Sequence, residues 1–348
     1  MAADAAPLPT TTSVDERHLL ALPAGPGAED LGVLAASRFA AARWEPAEPR
    51  LVRAAGGAAL RVLRLGRLSR LVGPYALDGG RAAALGLPPQ PATAWQLECP
   101  VERGEPPWPG GDRDGLKRAF PDGMPVREEE RAVTWLVAVA RRLGGAVRVG
   151  RTGTVLTPDP GALVDLVLYS DRWLEPAEAL ATVRTVVRRA RPSGSGDRSL
   201  GPEAADDPGL RAHLARFGVR DEAERARLAA ESAAYDAHML AHRPVEHGYG
   251  VEADLDVDGY FAVEVSGQDE VPMVLASLPW TREGVVAYRV RWEPAELAEQ
   301  ESERPSLAHR VARGRVAPQV RGVARALHAV LGGAVLDEAE FPVDPASL

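Results

Sequence analysis

Leu143-Gly144-Gly145-Ala146-Val147 and Leu331-Gly332-Gly333-Ala334-Val335 are the same five letters, LGGAV, met twice in one chain. Each copy closes a helical pattern and opens a strand-like one. Before the first, Ala132, Trp135, Leu136, Val139 and Leu143 fall at i, i+3, i+4, i+7 and i+11, one face of an α-helix. Before the second, Val320, Val323, Ala324, Leu327 and Leu331 repeat that spacing at a constant offset from their counterparts. A Gly-Gly pair is good helix-stop chemistry, because the residue after the last turn takes a positive φ. The pentapeptide lacks G-x-G-x-x-G and does not lead from a strand into a helix, so it is no phosphate loop.

The correspondence extends in both directions. Downstream, AVRVGRTGTVL and AVLDEAEF read as strands, and each soon reaches a proline-containing turn, at residues 157–160 and 342–345. Upstream, residues 94–100 and 287–294 alternate as strands and lead into polar loops. Further up, residues 51–66 read as a hairpin turning at Gly56-Gly57, and residues 249–267 as one turning near Asp258-Gly259. The order hairpin, strand, loop, helix, Gly-Gly, strand occurs twice, as expected of an internal duplication. WEPAE at Trp44 and Trp292, echoed by WLEPAE at Trp173, is helix-start chemistry.

The expected fold is therefore α+β and internally duplicated. Two similar halves of mixed sheet and helix are joined by a strand-helix-linker-helix segment. Residues 1–45 form a partly loose N-terminal segment, 46–172 the first half and 246–348 the second. Residues 173–245 supply connecting helices with a flexible linker at 191–208, and 221–243 read as an alanine-rich helix ended by Pro244.

Composition sets limits on function. The 348 residues are 45% hydrophobic and 26% charged, with a net charge of -8, an ordinary soluble globular balance. That sign argues against a nucleic-acid binder or a protein drawn to anionic membranes. There is no isoleucine, no asparagine and one lysine, Lys117. This is the mark of a GC-rich bacterial genome, in which arginine, alanine and glycine runs carry less meaning. Cys99 is the only cysteine, which excludes an intramolecular disulfide and a multi-cysteine metal site. The first residues lack a signal peptide's basic and apolar regions, and no apolar run reaches membrane-spanning length, so a cytoplasmic protein is expected.

Four features carry candidate chemistry. His238 and His242 lie at i, i+4 on one helix face, a spacing that lets two imidazoles reach one metal ion, with Glu246 or His247 as third ligand after Pro244. No cofactor is expected, zinc being the one exception this spacing allows. The pattern has no H-E-x-x-H glutamate, and histidines packed beside an aromatic explain it as well. Asp254, Asp256, Asp258 and Gly259 match the first half of a calcium loop, but Val265 stands where its bidentate glutamate belongs, so a polar hairpin tip is the competing reading. Arg61, Arg64, Arg67 and Arg70 form the most basic stretch, able to hold an anion or to pair with acids elsewhere. The long loop at 99–130 offers Trp108 and Phe120 as a recognition surface.

No dyad, triad or phosphate loop stands out. The expected function is a non-catalytic binding protein, using its long Pro/Trp loops and the cleft between halves to hold another protein or a small ligand. The alternative is a metal-dependent hydrolase built on the histidine cluster, and enzymatic activity is left open. A nucleic-acid or membrane partner is not expected.

Overall fold

A computed structural model describes residues 6–9, 15–46, 48, 60–89, 92–193, 227 and 248–348. In chain order the first part comprises β1 (Ala6–Pro7), β2 (His18–Leu22), α1 (Ala28–Ala36), β3 (Arg43–Pro46), β4 (Arg61–Arg64), β5 (Arg70–Ala76), α2 (Gly79–Ala84), β6 (Thr93–Glu98), α3 (Leu116–Ala119), α4 (Arg127–Leu143), β7 (Ala146–Arg148) and β8 (Val155–Leu156). The second comprises β9 (Leu166–Ser170), α5 (Pro176–Arg184), β10 (Arg191–Pro192), β11 (Gly248–Asp254), β12 (Tyr260–Gln268), β13 (Val285–Glu293), α6 (Leu307–Leu331), β14 (Ala334–Asp337) and β15 (Pro342–Val343). The fold is α+β, with two separate sheets.

The first sheet runs β3-β4-β5-β6-β2-β7-β8, with β1 added in parallel to β5; the second runs β10-β11-β12-β13-β9-β14-β15. Apart from β1, α2 and α3, the two parts share one element order and one sheet order, position for position. In both, the LGGAV strand pairs with the strand that begins its part. Ala146 lies opposite Ala21, and Ala334 opposite Tyr169.

This pairing explains both glycines. Gly144 and Gly332 cap α4 and α6 at φ 67° and 68°, the left-handed region glycine enters without penalty. The second glycine has no room for a side chain. A Cβ on Gly145 would collide with the Ala21 carbonyl, and one on Gly333 with the Tyr169 carbonyl. LGGAV is thus a helix stop followed by close backbone approach to a neighbouring strand.

The helical faces read from the sequence are the buried ones. Ala132, Trp135, Leu136 and Val139 pack on the first sheet, and Val320, Val323, Ala324, Leu327 and Leu331 on the second. Trp135 Nε1 donates to the Leu34 carbonyl at 3.0 Å, joining α4 to α1. The sheets differ on their other faces. In the second, β12 alternates buried and more exposed residues, with Arg291 paired to Glu264 at 3.3 Å on the open side. In the first, Leu20 and Leu22 point to the α4 side while Leu19 and Ala21 join a second core with Ala6, Val72, Tyr75 and Ala82.

Several local expectations need correction. Residues 18–22 lie within the segment expected to be partly loose, yet they form a fully buried strand inside the first sheet. Residues 166–170 were expected in the first half, but they pair with β13 and β14 in the second sheet. The hairpin of the arginine stretch is β4–β5, with Arg64 opposite Arg70 and the turn between them at 65–69. Gly56-Gly57 lies outside the described residues, as does most of the 191–208 linker and, Arg227 aside, the 221–243 helix. The turn near Asp258-Gly259 joins β11 to β12 as expected.

The two parts are locked by the segment after β14. Phe341 is fully buried in the first part's core beside α4. Arg142 donates to the Pro342 carbonyl at 3.1 Å, and Arg38 pairs with Glu340 at 3.1 Å. The long loop adds a further tie, with the Asp112 N–H donating to the Glu301 carbonyl at 2.7 Å. No helix among the described residues is long and apolar enough to cross a membrane.

Candidate functional site

A cleft of about 630 Å³ lies where the two parts meet. One wall is the C-terminal end of α4, carrying Arg141 and Arg142. A second is the first half of α6, where Arg310, Arg313, Gly314, Ala317 and Arg321 fall on one face at i, i+3, i+4, i+7 and i+11. The connecting segment 160–166 forms a third, with Asp165 facing in, and Asp337, Val343 and Leu348 line the remainder.

The five guanidinium groups are not equivalent. Arg141 is 6% exposed and ion-pairs with Asp114 through Nη2, while its Nε is buried with no hydrogen-bond partner. Arg313 is held by Asp159. Arg142 faces Asp337 at 3.6 Å. The side chains of Arg310 and Arg321 are exposed and make no ion pair or hydrogen bond among the described residues.

The acids bordering the cleft are perturbed. Burial pushes the Asp165 carboxyl up to about 7, with repulsion from Glu338 adding to it, against the Trp292 N–H at 2.8 Å and Arg291 at 3.6 Å. Burial likewise raises Asp337, against N–H donors from Phe341 and Ala339, each at 2.9 Å, and against Arg142. Glu338 is raised by burial, opposed first by Arg113. Carboxyl groups perturbed by burial beside a cleft mark candidate sites.

Gly314 sits inside α6 with nothing within 4 Å of where its Cβ would be. Glycine in a helix interior is less favourable than alanine by about 1 kcal/mol. Gly314→Ala is therefore expected to stabilise the protein by about 0.5–1 kcal/mol in urea melts, while narrowing the cleft floor. A loss of stability would mean that the space is not open.

A second cluster is buried in the first part. The ligand atoms of His18, Cys99 and Glu129 lie within 4.8 Å of one another, near enough to hold a metal ion, and no other such group of three occurs among the described residues. His18 opens β2, Cys99 follows β6, and Glu129 stands in the first turn of α4, where an acid suits the helix dipole. The lone pairs are already engaged. Gly150 N–H donates to His18 Nδ1 at 3.2 Å, so the ring proton is on Nε2 and donates to Glu129 Oε1 at 3.0 Å. Glu129 Oε2 accepts from the Glu102 N–H at 2.7 Å and from Arg103. Burial would raise the Glu129 carboxyl, but the His18, Arg103 and Glu102 donors outweigh it and hold the group below its usual value. Burial, reinforced by the Glu129 charge, pushes the Cys99 thiol up to about 12, the reverse of what a thiolate ligand or nucleophile needs. Arg103 also puts a positive charge where a cation would sit. The donor set fits a hydrogen-bonded charge network better than a metal centre.

The sequence-derived candidates fall as follows. His238, His242, Glu246 and His247 lie outside the described residues. Asp254, Asp256 and Asp258 form the β11–β12 tip, but each has its own partner. Asp254 accepts the Asp256 N–H at 2.8 Å, Asp256 pairs with Arg189 at 2.6 Å, and Asp258 with Arg315 at 3.2 Å. The arginine stretch is largely spent within the first sheet. Glu45 receives Arg64 through both oxygens, Glu48 and Glu98 each accept from Arg70 at 2.6 Å, and Arg61 stacks on Trp44 at 4.2 Å. Arg67 is exposed on the turn. Trp108 is 83% exposed, whereas Phe120 is buried beneath Arg103 and beside His18, so the two do not share a surface. Phe120 turns inward because the loop is not free. Asp112 accepts the Lys117 and Arg118 N–H groups, each at 3.0 Å, and this short helix carries Phe120 into the core.

His18, Glu129 and Arg141 were not singled out from the sequence. Arg141 and Arg142 read as basic residues at a helix end, and nothing local marks His18 or Glu129 as partners 111 residues apart. Compared with family models, curated proteins and solved structures, the chain matches none of them.

Proposed function

We propose that this protein is a non-catalytic binding protein whose ligand occupies the cleft between its two parts, and that those parts arose by internal duplication. The shared element order and the repeated LGGAV junction support the duplication. The observation that carries the binding reading is a concavity of about 630 Å³ with walls from both α4 and α6. Clefts at junctions between units are favoured ligand sites. A site made of two units also has a geometry that neither presents alone.

The test is a fragment screen by ligand-observed NMR on the wild type and on Gly314→Leu, whose side chain would project into the cleft. Binders of the wild type that are lost in the variant would support the reading. Binders indifferent to the substitution would place recognition elsewhere and overturn it. The hydrolase reading rests on His238, His242, Glu246 and His247. About one equivalent of zinc in chelator-free protein, lost in a His238→Ala, His242→Ala variant, would favour that reading instead.

A further inference from the structure

We propose that the ligand of the junction cleft is a small organic anion with at least two negative charges, of the phosphate-ester or polycarboxylate class, gripped by Arg310 and Arg321 from α6 and Arg141 from α4. The inference rests on the cleft-binding reading and gives it a ligand class.

Charge balance is the first support. The chain carries a net charge of -8, yet this one concavity gathers five arginines against Asp165 and Asp337. Asp114 and Asp159 neutralise Arg141 and Arg313 from outside the cleft lining, and Arg142 faces Asp337. Arg310 and Arg321 remain without an acid among the described residues. Burial raises the Asp165 carboxyl to about 7, which weakens the negative charge it sets against an incoming anion.

Geometry is the second. Arg310 and Arg321 stand eleven positions apart on one helix, about 16 Å along its axis. Gly314 and Ala317 between them leave the floor low. Two guanidinium forks about three helical turns apart on one cleft wall suit an elongated anion charged at both ends, since each fork can pair with two oxygens of a carboxylate or phosphate. Val343 and Leu348 offer apolar surface for the body of such a molecule.

The third support is independent of both. Arg141 is nine-tenths buried, lines the cleft, and has an Nε–H with no acceptor. Buried donors in folded proteins nearly always find one. That Nε is closed to solvent with the side chain turned toward Asp114, so a ligand oxygen would satisfy it by drawing the guanidinium round into the cleft.

Calorimetric titration of the full chain with fructose 1,6-bisphosphate and with suberate, each an elongated molecule with a charged group at both ends, at matched ionic strength, tests the proposal. The variants are Arg310→Gln, Arg321→Gln, their double, and Gly314→Leu. The two arginines are exposed and unpaired, so the glutamine variants should melt like the wild type. At least one probe should bind saturably, each glutamine should weaken it about tenfold, and Gly314→Leu should abolish it. Binding unchanged in the variants would overturn the proposal, since the anion would then sit elsewhere. Failure of both probes, with an uncharged fragment still displaced by Gly314→Leu, would overturn the anion class while the cleft-binding reading stands. Failure of every probe and fragment to respond to Gly314→Leu would overturn both. Tight binding of a poly-glutamate peptide alone would replace the small-molecule class with a protein partner.

Discussion

Glu129→Ala is expected to destabilise the protein by about 3–5 kcal/mol, because each buried donor left without its acceptor costs about 1–3 kcal/mol. The Glu129 side chain is fully buried, and that of His18 is 5% exposed. Removing the carboxylate leaves three donors without an acceptor: His18 Nε2–H, the Glu102 N–H and the Arg103 guanidinium. The imidazole cannot escape by moving its proton, because Nδ1 is needed to accept the Gly150 N–H. Glu129→Gln keeps the shape and one acceptor oxygen, so it should cost less, about 2 kcal/mol. The pH dependence has a definite sign. Glu129 is held below its ordinary value of 4.5 in the folded state. Its contribution is therefore present above that value and fades as pH falls through the folded value. Urea melts at pH 7 and pH 3 measure both effects. A loss under 1 kcal/mol at pH 7 would refute the network. The free thiol of Cys99, raised from an ordinary 9.0 to about 12, should contribute no pH dependence below about pH 8 and should cost stability as pH rises through 9, where only the unfolded chain gives up its proton.

The second large effect has the opposite direction. Asp165→Asn is expected to stabilise the protein by about 2–4 kcal/mol at pH 8 and to change little at pH 4. Its carboxyl rises from an ordinary 3.8 to about 7 on folding, because burial disfavours the ionised form and Glu338 repels it. The folded chain therefore binds a proton more tightly than the unfolded one. Stability attached to this group is complete below about pH 4, is lost as pH rises toward 7, and stays lost above. Asparagine removes the titration while its Oδ1 still accepts the Trp292 N–H. The weak pairing with Arg291, at 3.6 Å, is the only attraction forfeited. A wild-type and variant difference that did not vary between pH 4 and pH 8 would show that Asp165 is not the strained group. A destabilising carboxyl at a cleft wall is the pattern expected where stability is given up for a site.

Much of the architecture was legible in one chain without its coordinates. The i, i+3, i+4, i+7 faces of residues 132–143 and 320–331 gave both principal helices, because a helix packed on one sheet must place its apolar residues on one stripe. The Gly-Gly stops marked their ends, because few other residues reach positive φ cheaply. The tip at Asp258-Gly259 was visible in the alternation on either side of it. By contrast, His18-Leu19-Leu20-Ala21-Leu22 gave no strand signal. It is buried on both faces, so it has no alternation to read. Leu166–Ser170 was seen as a strand, but its place in the second sheet depends on pairings with residues more than a hundred positions away.

The site was less visible than the fold. A junction cleft was foreseeable from two halves, but its lining was not. Arg141 and Arg321 line one space only because α4 and α6 flank a junction closed by Phe341, and no local pattern encodes that arrangement. The partners that neutralise arginines were equally hidden. Local periodicity specifies which face of an element is buried, because burial repeats with the geometry of that element. Which buried faces and charges meet is set by tertiary packing, where residues far apart in sequence compete for the same partners. That is why LGGAV and its helices could be read in advance, while the Arg310–Arg321 cleft and the His18–Glu129 network appeared only in three dimensions.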